Sequence, residues 1–127
     1  MSSRPLLKQQ PVIIAGDLSA DVVSLPTYIN MISLVSYQAV WTGSGAAGTL
    51  QVEVSNNYQP TPNGVDPYPS NSGTWEALTT PAPLTVSGAG NKYFNVSNIA
   101  AAWIRLRFVH TGGSSGAMNA TIAGKVA

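Results

Sequence analysis

Period-two alternation of apolar and polar residues is the feature that most restricts this chain, because it commits a segment to a strand with one buried face. Val35, Tyr37, Ala39 and Trp41 alternate with Ser36, Gln38 and Val40. Beyond TGSGAAG, Leu50, Val52 and Val54 alternate with Gln51, Glu53 and Ser55. In AAWIRLRFVH, Ile104, Leu106 and Phe108 share one face, and Arg105, Arg107 and Val109 the other. After TGGSSG, the run AMNATIAGKV sets Met118, Ala120, Ile122 and Val126 against Asn119, Thr121 and Lys125. The glycine-rich connectors predict two hairpins, one over residues 33–55 and one around TGGSSG. Weaker strand patterns cover 12–15, 20–25, 74–78, 84–86 and 92–96. No window of helical length carries a 3.6-residue pattern, and TYINMIS after Pro26 has room for one helical turn at most. Eight or nine short strands between Gly, Pro and Asn signals imply an all-β fold: a jelly-roll-like antiparallel β-sandwich of about eight strands, with a closed barrel as the fallback.

A chain of 127 residues suits a single domain that buries roughly two thirds of its unfolded surface. The expected domain is 12–127, preceded by an arm, 1–11, that lacks alternation and is ordered only if something holds it. Residues 55–73, SNNYQPTPNGVDPYPSNSG, break the pattern. Pro60, Pro62, Pro67 and Pro69 deny ladder hydrogen bonds, and Asn63-Gly64 and Asp66-Pro67 are turn dipeptides, so this is a long surface loop. Its tyrosines, Tyr58 and Tyr68, are candidate partner contacts, against the plainer reading of a tolerated insertion.

Charge excludes several functions. Six Lys and Arg against five Asp and Glu leave a formal charge of +1, which gives no electrostatic footprint for nucleic acid or an anionic membrane. The longest apolar run near the N-terminus, Val12 to Ala15, is too short for a signal core, and no stretch approaches the roughly 20 residues of a membrane span. The expectation is a soluble chain made in the cytosol. With no cysteine, disulfides, thiolate nucleophiles and Cys-ligated metals are out.

Chemistry is equally sparse. His110 stands at a strand end beside a Gly-Gly turn without a visible nucleophile or orienting partner, and reads as a strand-end residue. The carboxylates Asp17, Asp21, Glu53, Asp66 and Glu76 contain no spacing that demands the facing pair of a glycosidase. Asp17 and Asp21 flank LSA, where capping or a turn outweighs a calcium loop. GSGAAG resembles a dinucleotide fingerprint only superficially, since strands lie on both sides of it. The sequons at Asn95 and Asn119 read as chance matches. No catalytic residue, metal ligand or cofactor is assigned, and the chain is read as a non-enzyme. Arg105 and Arg107, roughly 7 Å apart on one strand face, allow an anion clamp, a cross-sheet pair with Glu53, or an intersubunit contact. The plainest reading is an exposed polar face, on which replacing both by Ser leaves the fold intact.

The order of motifs adds a resemblance. VSYQAVWTGSGAAGTLQVEVSNNY, GTWEALT, YFNVSNI and AAWIRLRFVHTGGSSGAMNATIAGKV together resemble small β-sandwich virion structural proteins of tailed bacteriophages, over about residues 12–127. The resemblance implies a capsid decoration or head-associated protein in the virion, assembled in the host cytoplasm. Its expected partners are the major capsid protein and further copies of itself, held by repeated interface burial. The same order is similar to discoidin-type carbohydrate-binding modules, which implies glycan recognition, by a free module or a tail or fibre component, with Trp75 and Tyr58 as contacts. The chain is short for that family and lacks its cysteines. Tyr58, Tyr68, Trp75, Arg105 and Arg107 are therefore the candidate contact residues.

Overall fold

A computed structural model describes residues 6–30, 32–43, 45–59 and 73–126. Ten strands occur in them: β1 (Leu6–Asp17), β2 (Val22–Val23), β3 (Thr27–Tyr28), β4 (Leu34–Thr42), β5 (Ala47–Ser55), β6 (Glu76–Ala77), β7 (Leu84–Ser87), β8 (Gly90–Ser97), β9 (Trp103–His110) and β10 (Ala117–Lys125). One sheet runs β1-β10-β4-β8. The other runs β2-β9-β5-β6, with β3 also beside β9 and β7 also beside β5. All pairs are antiparallel. Taking β2 with β3 and β6 with β7 as interrupted strands, this is the eight-strand order of a jelly roll, so the expected sandwich is the fold.

Alternation explains the core. Tyr37, Phe94, Met118 and Ile122 from the first sheet meet Leu50, Val52, Ile104, Leu106 and Phe108 from the second, and each is at most 1% exposed. Burying a side chain of this size stabilises by about 1.5–3 kcal/mol before entropy is counted. Leu18, Ile29, Ile32 and Val86 close the ends and sides of the same cluster.

Both expected hairpins are overturned. β4 and β5 lie in opposite sheets, as do β9 and β10. Each glycine-rich connector is an arch across the core. Alternation demands only that the apolar faces meet something, and two strands facing each other across a sandwich satisfy it as well as two neighbours in a sheet. The arches grip each other. Ser114 N–H donates to Gly45 O at 3.1 Å, and the β1–β2 turn joins them through Leu18 N–H, which donates to Gly116 O at 3.0 Å. Gly43 and Gly116 have φ of +106° and +132°, and a Cβ on Gly43 would stand 2.6 Å from the Gly116 Cα. Only glycine combines that backbone with that approach.

The expected arm is overturned in part. Residues 6–11 belong to β1 and pair with β10, from Leu6 opposite Lys125 to Pro11 opposite Thr121. The register shifts between Leu7 and Gln10, Pro11 and Ile13, and Ile13 and Gly16. Such bulges erase the period-two signal. The weak segments hold strands shorter or longer than expected by a few residues, and the turn in TYINMIS is present as Ile32 N–H donating to Ile29 O at 2.9 Å.

Sheet edges are blunted among the described residues. β1 carries Pro11, its bulges, and Ala15 at φ +49°. β8 turns Lys92 toward the inner side, with Nζ 6.0 Å from the Phe94 ring centre. The second sheet ends in strands of two to four residues. Prolines, bulges, inward charges and short edge strands all oppose pairing with a further chain.

Candidate functional site

The outward face of the second sheet gathers most of the polar chemistry. Register sets Glu53 opposite Arg105, Gln51 opposite Arg107 and Ser55 opposite Trp103. The Arg105 Nε and Nη2 groups donate to Glu53 Oε1 at 2.7 and 2.6 Å. Gln51 Nε2 donates to Oε2 at 2.7 Å, and Arg107 Nη1 approaches it at 3.5 Å. Arg105 and Glu53 are 6% and 3% exposed, so this is a buried ion pair on the outside of a sheet.

Aromatic rings make the cover. The Trp75 ring centre lies 4.3 Å from the Arg105 guanidinium carbon, a cation–π stack. Tyr58 packs on Trp75 at 5.5 Å and edge-on to Trp103 at 4.9 Å, and Trp103 packs on Tyr28 at 5.0 Å. The segments flanking residues 60–72 are tied together beside this row. Thr74 N–H donates to Asn57 Oδ1 at 2.7 Å, Asn57 Nδ2 to Thr74 Oγ1 at 3.2 Å, and Tyr58 N–H to Ser55 Oγ at 3.1 Å. The face thus fixes where the chain departs at Gln59 and returns at Gly73.

Of the candidate contacts, Tyr58, Trp75, Arg105 and Arg107 converge here, while Tyr68 lies outside the described residues. The exposed polar face expected for the arginines is corrected for Arg105. Its side chain does point outward, but the aromatic cover buries it, and the pairing with Glu53 weighed from sequence is the one formed. Arg107 stays half-buried and also meets Asp21 at 3.3 Å. Tyr58, 3% exposed, is packing rather than a presented contact. Tyr28, Asp21 and Trp103 had no part in the expected set. Alternation supplies the signal for Trp103, which shares the outward parity of Arg105 and Arg107.

The remaining polar residues have local roles. The Asp17 carboxylate accepts from Ser19 N–H at 3.0 Å and Ser19 Oγ at 2.8 Å, which holds it below its ordinary pKa. This is the turn reading. Asp21 is lowered chiefly by the His110 backbone N–H, 2.8 Å from Oδ1. His110 Nε2 contacts the Gly113 carbonyl, as suits a strand-end residue. Among the described residues no three His, Asp or Glu side chains converge as metal ligands.

The outward face of the first sheet is different. The row Tyr93, Gln38, Thr121 and the row Asn95, Ser36, Ala123 cross β8, β4 and β10. Small Ser36 and Ala123 leave a trough, in two joined grooves of about 480 and 210 Å³ that share Ser36, Tyr93 and Ala123. Tyr93 rises from it, 57% exposed. Among the described residues, Lys125, at one end, is the only charged one lining either groove.

Comparison with known proteins reaches the fold and stops there. No family model and no curated protein matches the chain. Among solved structures, the SPBc2 prophage-derived protein YomS is similar over 98% of both chains, with a TM-score of 0.56 at 7% identity. A structure from Bacillus endospore appendages, described as disulfide-linked pili, is similar over 99% of this chain and 93% of that one, with a TM-score of 0.50 at 12% identity.

Proposed function

We propose that this chain is a non-enzymatic structural protein of a tailed-phage virion, a capsid decoration or head-associated subunit whose partners are the major capsid protein and further copies of itself. The observation that carries the reading is the end-to-end similarity to a prophage-derived protein of the same fold, which agrees with the motif order of the sequence. The pilus similarity points the same way, toward small sandwiches that serve in assemblies. With no cysteine, an assembly of this chain is held without disulfides. Blunted edges favour contact through faces and loops over strand addition. The polar network of the second sheet serves this by holding the two ends of the proline-rich segment in fixed places.

Mass spectrometry of purified phage particles from the source tests the proposal. The chain is expected in the particle at a stoichiometry tied to the capsid lattice, and its absence from intact particles overturns the reading.

A further inference from the structure

We propose that the outer face of the first sheet is a binding site for a neutral oligosaccharide, with Tyr93 as the stacking ring and Gln38, Asn95 and Thr121 as hydrogen-bonding partners. The site is independent of the virion reading and of the Trp75 and Tyr58 cluster, which is packed into the protein.

Three observations select this ligand. The first is charge: among the described residues no carboxylate or guanidinium lines the trough, and Lys125 stands at one end only. An anionic or cationic ligand would find no counter-charge along most of its length. The second is polar chemistry. Among the described residues, no hydrogen bond within the protein engages the side chains of Tyr93, Gln38, Asn95 or Thr121, in contrast to Glu53, Gln51 and Arg105 on the opposite face. Each side-chain amide offers a donor and an acceptor in one plane, which matches adjacent sugar hydroxyls. The third is shape. The larger groove, about 480 Å³, falls within the size range of ligand sites. It is open and shallow, and an exposed phenol ring stands where the C–H face of a pyranose can lie against it. A peptide strand is disfavoured because the adjoining edges, β1 and β8, are blunted, and a strictly apolar ligand because Ser36 and Thr121 line the floor.

The test is an array of neutral oligosaccharides containing hexose, N-acetylhexosamine and deoxyhexose units, screened with the full chain and followed by titration of the best hit. Saturable binding is expected, weakened at least tenfold by Tyr93→Ala and severalfold by Gln38→Ala or Asn95→Ala. Tyr93→Phe should retain it, and Trp75→Phe should leave it unchanged. Circular dichroism of each variant confirms that the fold is kept. No saturable binding anywhere on the array overturns the inference, as does binding indifferent to Tyr93→Ala. Broadening of Tyr93 resonances with protein concentration in the absence of sugar would assign the face to a second copy instead, and would also overturn it.

Discussion

The two outward faces of this sandwich obey the same alternation and end in opposite states. On the first sheet, Gln38, Tyr93 and Asn95 project into solvent over a trough that no carboxylate lines among the described residues. On the second, Glu53 and Arg105 project equally outward and are buried under Trp75, with Tyr58 and Trp103 packed alongside. Outward is therefore a direction and not an environment. A sheet face becomes a second interior when a connection long enough to fold back brings aromatic cover with it, and a polar face so covered must satisfy its charges internally.

The largest effect should come from breaking the buried pair. Glu53→Ala strands Arg105 in a low-dielectric site and should cost about 3–5 kcal/mol. That corresponds to a fall in Tm of roughly 10 °C or more for a domain of this size, measured by thermal denaturation. The double variant Glu53→Leu with Arg105→Met should recover most of the loss, since an apolar pair of similar volume removes the stranded charge. By the same logic, replacing Arg105 and Arg107 together by Ser should destabilise strongly, contrary to the expectation from sequence. Next in size, Trp75→Ala removes the guanidinium stack and the ring contact with Tyr58, for about 1–2 kcal/mol by chemical denaturation.

How far these contrasts are legible in the sequence depends on the range of the interaction that creates them. The inward residues of β4, β5, β9 and β10 follow from alternation, because a buried face is a property of each strand alone. Strand partners do not. Gly43, Gly45, Gly113 and Gly116 suit a tight hairpin and an arch alike, and only the three-dimensional closure of two sheets chooses. β1 was hidden for a related reason: its pairing with β10 joins opposite ends of the chain, and its bulges and Pro11 disrupt the local pattern. The candidate contacts Tyr58, Trp75, Arg105 and Arg107 come together on one face of the second sheet. The burial of Arg105 was not visible, because it depends on Trp75 lying over a strand formed some thirty residues later in the chain.

Smaller effects sharpen the same contrast. Asp21 braces the rim of the covered face, and its carboxyl is held below its ordinary value by the His110 N–H and by Arg107. A depressed folded-state pKa contributes stability that is fully present above the unfolded value, near 4, and is lost as pH falls through the folded value. Asp21→Asn should therefore cost about 0–1 kcal/mol at neutral pH, and in denaturation experiments the difference from the parent chain should begin to shrink as pH falls below about 4 and vanish only below the lowered folded-state value. On the open face, Gln38→Ala and Tyr93→Ala should each stay within about 0.5 kcal/mol of the parent chain, as substitutions of exposed, unengaged side chains do.

The central claim, that one outward face is a closed interior and the other an open surface, is tested most directly by hydroxyl-radical footprinting of the free chain. Tyr93 should be oxidised at the rate of a solvent-exposed tyrosine and Tyr58 many times more slowly, with Tyr58 becoming reactive in Glu53→Ala. Equal labelling of Tyr58 and Tyr93 in the parent chain would contradict the account.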